Sequence, residues 1–197
     1  MDVDELAIPG AWVFTPRQHP DDRGVFLEWY KADVVRKAVG HALDLVQANH
    51  SVSRRGVVRG IHYADVPPGQ AKYVYCPRGA VLDFVIDIRV GSPTFGRIDS
   101  VRLDEVDRRA VYLSEGLGHA FVSLADDSVV TYLCSTGYDP DREHGITPGD
   151  PELAIDWTVA EPLLSPKDTE APTLAQARES GALPDYETCL RYVAGLG

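Results

Sequence analysis

The chain has 197 residues and a net charge of −11, with 44% hydrophobic and 25% charged residues, a composition typical of a soluble globular protein. The acidic balance argues against broad nucleic-acid binding, which needs a basic surface, and no apolar run is long enough to span a bilayer. The first residues, MDVDELAIPG, lack the basic and apolar segments of a signal peptide, so we expect a cytoplasmic protein without a nucleic-acid or membrane partner.

Strand patterns dominate the chain. Runs rich in β-branched and aromatic residues predict strands at 11–14, 25–30, 57–62, 72–76, 81–89, 98–103, 110–113, 119–124 and 129–135. Turn signals such as Asp22-Arg23-Gly24 and Pro77-Arg78-Gly79 separate them. Short strands at this spacing are typical of a sandwich or barrel, whereas a doubly wound α/β fold needs helices for which the middle of the chain has no room.

The strand at 81–89 has two different faces. Leu82, Phe84, Ile86 and Ile88 share one face, while the other face alternates Val81 and Val85 with the charged residues Asp83, Asp87 and Arg89. We therefore expect the second face to meet a polar cavity or a partner chain.

Helical patterns occur at the edges of the strand-rich region, at 31–39, 172–181 and 185–194. The stretch 137–171 is rich in Pro, Asp and Gly and is predicted to be a long ordered loop region that lines a site. We expect one domain over 1–197 with a helical tail from about 172. Cys76, Cys134 and Cys189 have no CxxC spacing, which argues against structural zinc and a disulfide framework; Cys76 and Cys134 are expected to be free core residues.

Polar residues recur in a specific set of motifs. In chain order these are Asp22-Arg23-Gly24-x-Phe26-x-Glu28, Gln47-x-Asn49-x-Ser51, Gly56-Val57-x-Arg59-Gly60-x-His62, Gly91-Ser92-Pro93-Thr94-Phe95-Gly96, Gly116-x-x-His119-x-Phe121, Tyr132, Tyr138, Glu143 and Leu164-Ser165-x-Lys167-Asp168. Together they resemble the dTDP-4-dehydrorhamnose 3,5-epimerases and their relatives in antibiotic deoxysugar pathways.

The resemblance implies an all-β, cupin-type jelly-roll barrel with a few short peripheral helices. It also implies a homodimer that exchanges N-terminal strands and a dTDP-linked 4-keto-6-deoxyhexose as substrate. The implied reaction is epimerisation at C3 and/or C5 without a cofactor or a metal. The ketone at C4 acidifies the protons on both neighbouring carbons because their loss gives an enolate.

Four residues match the catalytic positions of the family. His62 matches the base, and a histidine titrates near neutral pH. Asp168 matches the carboxylate that orients it, Tyr132 matches the proton donor on the opposite face of the sugar, and Lys72 matches the residue near the ketone oxygen.

Other residues match substrate-binding positions. Arg23 and Arg59 match phosphate contacts, for which the guanidinium fork is suited. Tyr138 matches the ring that stacks on thymine. The remaining matches to nucleotide or sugar contacts are Phe26, Glu28, Gln47, Asn49, His119, Glu143 and Lys167.

Each residue also has a plainer interpretation. His62 on an apolar strand could be a core histidine, Tyr132 a packed strand tyrosine, and Asp168 a turn cap before Pro172. Arg23 could be a solvated turn residue, and Tyr138 a loop-packing residue. His41 and His144 are expected to be bystanders.

Three other functions compete with epimerisation. A metal-dependent cupin needs a His-x-His pair, but the residues flanking His62 are Gly60 and Ala64 two places away. A sugar-nucleotide 3,4-ketoisomerase shares the base chemistry, whereas a tyrosine opposite His62 favours epimerisation. A non-catalytic sugar-binding cupin needs neither the His62–Asp168 pair nor a tyrosine opposite His62. The regiochemistry, at C3, C5 or both, stays open. The segments 67–72 and 183–186 favour the antibiotic-sugar branch.

Overall fold

The computed structural model describes all 197 residues and contains thirteen strands and four short helices. The strands are β1 (Asp2–Glu5), β2 (Ala11–Thr15), β3 (Gln18–Asp21), β4 (Gly24–Leu27), β5 (Gln47–Ser53), β6 (Val58–Ala64), β7 (Lys72–Arg78), β8 (Ala80–Ile86), β9 (Ile98–Asp104), β10 (Ala110–Leu113), β11 (Gly118–Ser123), β12 (Ser128–Cys134) and β13 (Glu143–Gly145). The helices are α1 (Ala32–Val39), α2 (Pro166–Thr169), α3 (Leu174–Glu179) and α4 (Tyr186–Ala194). None of them has the length and apolar character needed to cross a membrane.

Two antiparallel sheets face each other. One has the order β1-β2-β10-β7-β12-β5 and the other the order β13-β6-β11-β8-β9. A core of apolar side chains from both sheets lies between them, including Val74, Val111 and Val130 from the first sheet and Val81 and Phe121 from the second. Burial of these faces is the main stabilising contribution to such a sandwich. The predicted all-β jelly-roll architecture with peripheral helices is confirmed.

Both sheets are also covered on their outer faces. Phe84 and Ile86 of the five-stranded sheet pack under Leu174 of α3 and Trp157, whose ring centroid is 5.0 Å from that of Phe84. This explains why the run at 81–89 is apolar on one face throughout. The strand itself ends at Ile86, three residues before the predicted boundary, because the chain turns into the Asp87–Arg89 ion pair.

The outer face of the six-stranded sheet packs against α1 and the segment before it. Val35, Tyr73 and Tyr75 belong to this cluster, and the ring of Trp29 stacks on Tyr75 at a centroid distance of 5.0 Å. Residues 28–30, predicted as the end of a strand, are instead irregular. The aromatic residues there are needed to cover the sheet rather than to extend a strand.

The predicted helices are confirmed, with short shifts at their ends. Thr173 and Gln176 form a capping box at the start of α3, and Asp185 caps α4. The three cysteines are free and buried, as expected for Cys76 and Cys134.

Four strands were not predicted from the sequence, namely β1, β3, β5 and β13. The strand β5 (QANHSVS) is polar because alternate residues face a cavity, so its pattern lacks the apolar face that identifies most strands. The region 137–171 was predicted as loop alone; β13 and α2 lie within it, and both border the same cavity.

Candidate active site

A cavity of about 640 Å³ opens between the two sheets at one end of the barrel, a volume within the usual range for small-molecule sites. Apolar residues on its wall include Val58, Phe121 and Leu164. It is lined by eleven of the fourteen site residues predicted from the sequence: Gln47, Asn49, Arg59, His62, Lys72, His119, Tyr132, Tyr138, Glu143, Lys167 and Asp168.

His62 and Asp168 form a hydrogen-bonded pair on one wall. The distance between His62 Nε2 and Asp168 Oδ1 is 2.7 Å. Asp168 is held there by the short helix α2, where Ser165 at the N-cap accepts a hydrogen bond from the Asp168 amide at 3.1 Å. Burial opposes ionisation of Asp168, but its hydrogen bond and charge interaction with His62 outweigh burial and hold the pKa of Asp168 below its usual value. The carboxylate can therefore stabilise a protonated His62.

The strand β6, which carries His62, approaches β11 very closely. A Cβ on Gly60 would lie 2.5 Å from the carbonyl oxygen of His119, and Gly60 has a φ of +122°, so a side chain is excluded there on both grounds. In the pairing of these strands, His62 lies directly opposite His119. The two imidazoles are thus neighbours on one wall of the cavity.

Lys72 and Tyr132 lie on the other wall. They belong to β7 and β12 of the six-stranded sheet, whereas His62 belongs to the five-stranded sheet. Lys72 is 7% exposed, and burial lowers the pKa of its ammonium group despite opposing interactions with Cys134, Glu143 and Asp83. Burial also raises the pKa of Tyr132, so this phenol keeps its proton at neutral pH.

The strand β5 and the start of β6 supply a polar side of the cavity. Gln47 donates to Asn49 Oδ1 at 2.8 Å, and Arg59 Nε donates to Ser53 Oγ at 3.1 Å. Asn49 is the cross-strand neighbour of Tyr132. The hydrogen bonds of the Arg59 guanidinium go to neutral oxygens, Ser53 Oγ and the Val52 carbonyl, which leaves its charge available to an anion.

Tyr138, Lys167 and Glu143 lie nearer the mouth. The Tyr138 amide donates to Gln47 Oε1 at 2.9 Å, while the ring is 57% exposed and lies 6.0 Å from the Lys167 ammonium. Glu143 accepts a hydrogen bond from Gln70 Nε2 at 3.4 Å. An exposed ring beside a cation at the mouth can stack on a planar ligand group.

The structure does not bring Arg23, Phe26 and Glu28 to this cavity. They lie on or just after the β3–β4 hairpin, whose two strands pair only with each other. The Arg23 side chain is 89% exposed and pairs with Asp21, and Phe26 is 67% exposed. Glu28 forms an ion pair with Lys31.

Sequence reasoning missed several residues of the site. Gln70 follows the Pro-Pro-Gly turn and bridges Thr136 and Glu143, and Asp83 bonds to His119 from beneath the cavity. The alternating pattern at 81–89 predicted that the face carrying Asp83 meets a polar cavity or a partner chain, and that signal could have identified Asp83. No group of three or more His, Cys, Asp or Glu side chains is arranged to hold a metal ion.

Comparison with known proteins gives a consistent result. A family model described as dTDP-4-dehydrorhamnose 3,5-epimerase matches residues 5–176. A dTDP-4-dehydrorhamnose 3-epimerase from Streptomyces niveus is 60% identical over 184 residues, which cover 93% of this chain and 89% of the relative.

Two solved structures are similar over almost their whole length. The rmlC epimerase of Mycobacterium tuberculosis superposes with a TM-score of 0.98 at 52% identity, covering 100% of both chains. ChmJ, a 3'-monoepimerase from Streptomyces bikiniensis in complex with dTDP-quinovose, superposes with a TM-score of 0.95 at 50% identity, covering 98% of both chains.

Proposed function

This chain belongs to the dTDP-4-dehydrorhamnose 3,5-epimerase family, and we propose that it epimerises C3, C5 or both carbons of a dTDP-linked 4-keto-6-deoxyhexose. The similar proteins include a sugar epimerase from the novobiocin biosynthetic gene cluster and epimerases from mycobacteria. Membership therefore supports the reaction class, and the carbon that reacts is part of what the experiment below determines.

The observation that carries the proposal is the placement of a base and an acid on facing walls. His62, with its Asp168 partner at 2.7 Å, lies on the five-stranded sheet. Tyr132 lies on the six-stranded sheet and lines the same cavity. Inversion of a carbon needs proton removal from one face and proton return to the other, which this arrangement supports.

The proposed reaction has two steps. His62 takes the proton from the carbon beside the ketone, and the C–H electron pair moves to form a C=C bond while the C4 oxygen becomes an enolate. Tyr132 then gives its proton to the same carbon from the opposite face, and the ketone re-forms. Asp168 stabilises the imidazolium in between, and exchange with solvent then removes the proton from His62 and returns one to Tyr132. No net oxidation occurs, so these steps need no redox cofactor.

Positively charged side chains in the cavity suit two tasks, stabilisation of the enolate and binding of the pyrophosphate. Lys72 on β7 lines the cavity, and its ammonium charge suits the negative charge that develops on the ketone oxygen in the transition state. Arg59 and Lys167 line the cavity as well and suit a pyrophosphate. The exposed Tyr138 ring suits the thymine base.

The test is deuterium exchange into dTDP-4-keto-6-deoxyglucose in deuterated water, with no added metal or cofactor. We expect deuterium at C3, C5 or both, and we expect the product to be an epimer of the substrate. The order of labelling assigns the regiochemistry. His62→Asn should abolish exchange while the thermal unfolding midpoint stays near that of the wild type. A wild-type protein that exchanges neither position, or that forms a 3-ketone product, would sink the proposal.

We further propose that the protein is a homodimer in which each β3–β4 hairpin reaches the cavity of its partner. Three observations support this. The hairpin leaves Phe26 exposed and away from its own cavity, β5 is an edge strand of the six-stranded sheet, and Val46 and Val52 beside that edge are 64% and 53% exposed. Apolar groups and an open edge of this kind mark an interface. Light scattering that finds only monomer at micromolar concentration would contradict it.

A further inference from the structure

A second histidine–aspartate pair lies beside His62 and has no part in the steps above. His119 Nε2 is 2.7 Å from Asp83 Oδ2, and both side chains are almost fully buried. Asp83 comes from β8 and His119 from β11, the central strands of the wall that carries His62. A buried carboxylate so close to a proposed catalytic base needs a reason.

The hydrogen bond fixes what the His119 ring offers to a ligand. An ionised carboxylate only accepts hydrogen bonds, so Nε2 of His119 carries a proton and donates it to Asp83. The other ring nitrogen, Nδ1, has no protein partner, and His119 lines the cavity. The ring therefore presents Nδ1 toward the space that the sugar would occupy.

The second oxygen of Asp83 is unusual. Asp83 Oδ1 is sealed from solvent and has no hydrogen-bond partner in the protein. An unpaired buried carboxylate oxygen is costly unless a positive charge lies near it. Lys72 supplies such a charge, because it is 7% exposed and also interacts electrostatically with Asp83.

We propose that Asp83 is a positioning residue of the active site, which fixes the His119 ring with Nδ1 toward the sugar. The consequence for catalysis rests on the proposed epimerase function, whereas the state of the His119 ring does not. Asp83 does not line the cavity and acts through His119, which does.

The test is Asp83→Asn, which keeps the shape of the side chain and removes its charge. We expect kcat to fall about 10- to 100-fold, because a buried hydrogen bond to a charged group is weakened, with a smaller change in KM. We also expect the ¹⁵N resonances of His119 to shift toward a mixture of the two tautomers. The matched control is Asp65→Asn, which removes the charge from a third pair, His144–Asp65, also at 2.7 Å but with both side chains about one-third or more exposed. It should retain wild-type kcat.

The outcomes distinguish failure of the Asp83 proposal from failure of the epimerase proposal. Wild-type kcat and unchanged His119 resonances in Asp83→Asn would overturn the proposal, as would a loss of kcat that only follows a loss of thermal stability. If Asp83→Asn does not fold, the wild-type ¹⁵N spectrum decides, since an unprotonated Nε2 on His119 overturns it. A wild-type protein without exchange activity refutes the epimerase function instead, and the His119 spectrum still tests the pair.

Discussion

The predicted site residues of the barrel cavity are largely buried and bonded to one another, whereas those of the β3–β4 hairpin are exposed to solvent. In the cavity, Lys72 and Asp168 are buried, and His62 is already bonded to its carboxylate. On the hairpin, Arg23 and Phe26 point into solvent and contact no other part of the site. One chain therefore assembles the proposed groups for proton transfer by itself. In the proposed dimer, the hairpin residues reach a ligand only in the cavity of the partner.

Among substitutions that test the contrast between cavity and hairpin, Asp168→Asn is expected to have the largest effect on kcat. The amide keeps the shape but no longer stabilises the His62 imidazolium, so kcat should fall by about 10²- to 10⁴-fold. KM should change little, because Asp168 acts through His62. Steady-state kinetics with Asp65→Asn alongside separates loss of this pair from loss of any surface His–Asp pair. Full activity in Asp168→Asn would show that the pair at 2.7 Å has no role in the reaction.

Tyr132→Phe tests the opposite wall. Removal of the phenol proton should lower the rate of inversion by about 10²-fold or more, since general acid catalysis contributes on that order. Exchange of deuterium on the face of His62 should persist, because the base is intact. Tyr63→Phe is the matched control, since Tyr63 is buried one residue from His62 and its hydroxyl has no partner. Equal losses of exchange and inversion in Tyr132→Phe would remove Tyr132 as the proton donor.

The hairpin should give a smaller and different effect. Arg23→Ala is expected to raise KM about tenfold, equivalent to about 1.4 kcal/mol of binding, with kcat nearly unchanged. Arg23 is exposed, so the fold should be unaffected. An unchanged KM would mean that the hairpin takes no part in the site.

Mixing variants tests whether the hairpin serves its own cavity or that of a partner. One chain carries His62→Asn and keeps a wild-type hairpin, and the other keeps His62 but carries Arg23→Glu and Phe26→Ala on its hairpin. In a mixed dimer, the hairpin of the first chain should restore the site of the second chain. Random reassociation should recover about one quarter of wild-type activity, because half of the dimers are mixed and one of their two sites is intact. Absence of recovery, with mixed dimers shown by mass, would contradict the exchanged arrangement.

The smallest effect concerns pH. Burial lowers the pKa of Lys72, so its ammonium form is lost at lower pH than that of an ordinary lysine. Because the neutral amine cannot stabilise the enolate by charge, kcat should decline as pH rises through that lowered pKa. Lys72→Arg keeps its charge across this range and should abolish the alkaline decline, even if its kcat at neutral pH is reduced. If kcat declines at the same pH in the wild type and in Lys72→Arg, the decline belongs to another group.

Prediction from sequence succeeded where a local pattern reports a local environment. The alternation at 81–89 identified the face of β8 that meets polar side chains, and Thr173 marked the start of α3. It failed at β5, because Gln47, Asn49 and Ser51 replace the apolar residues of an ordinary strand where the cavity begins. It also gave no sign that Gln70 borders the site, since one glutamine in a turn has no distinctive pattern.

Residue periodicity was enough to predict the all-β class and the peripheral helices, and the ordered motifs were enough to name the candidate residues for proton transfer, because both patterns are properties of the chain. Which of these residues meet depends on how the strands pair and the sheets pack. The pairing of β6 with β11 places His62 beside His119, and α2 brings Asp168 across 106 positions of chain to His62. The position of the β3–β4 hairpin away from the cavity likewise could not be predicted, because it depends on which strand edges remain open after the sheets have packed.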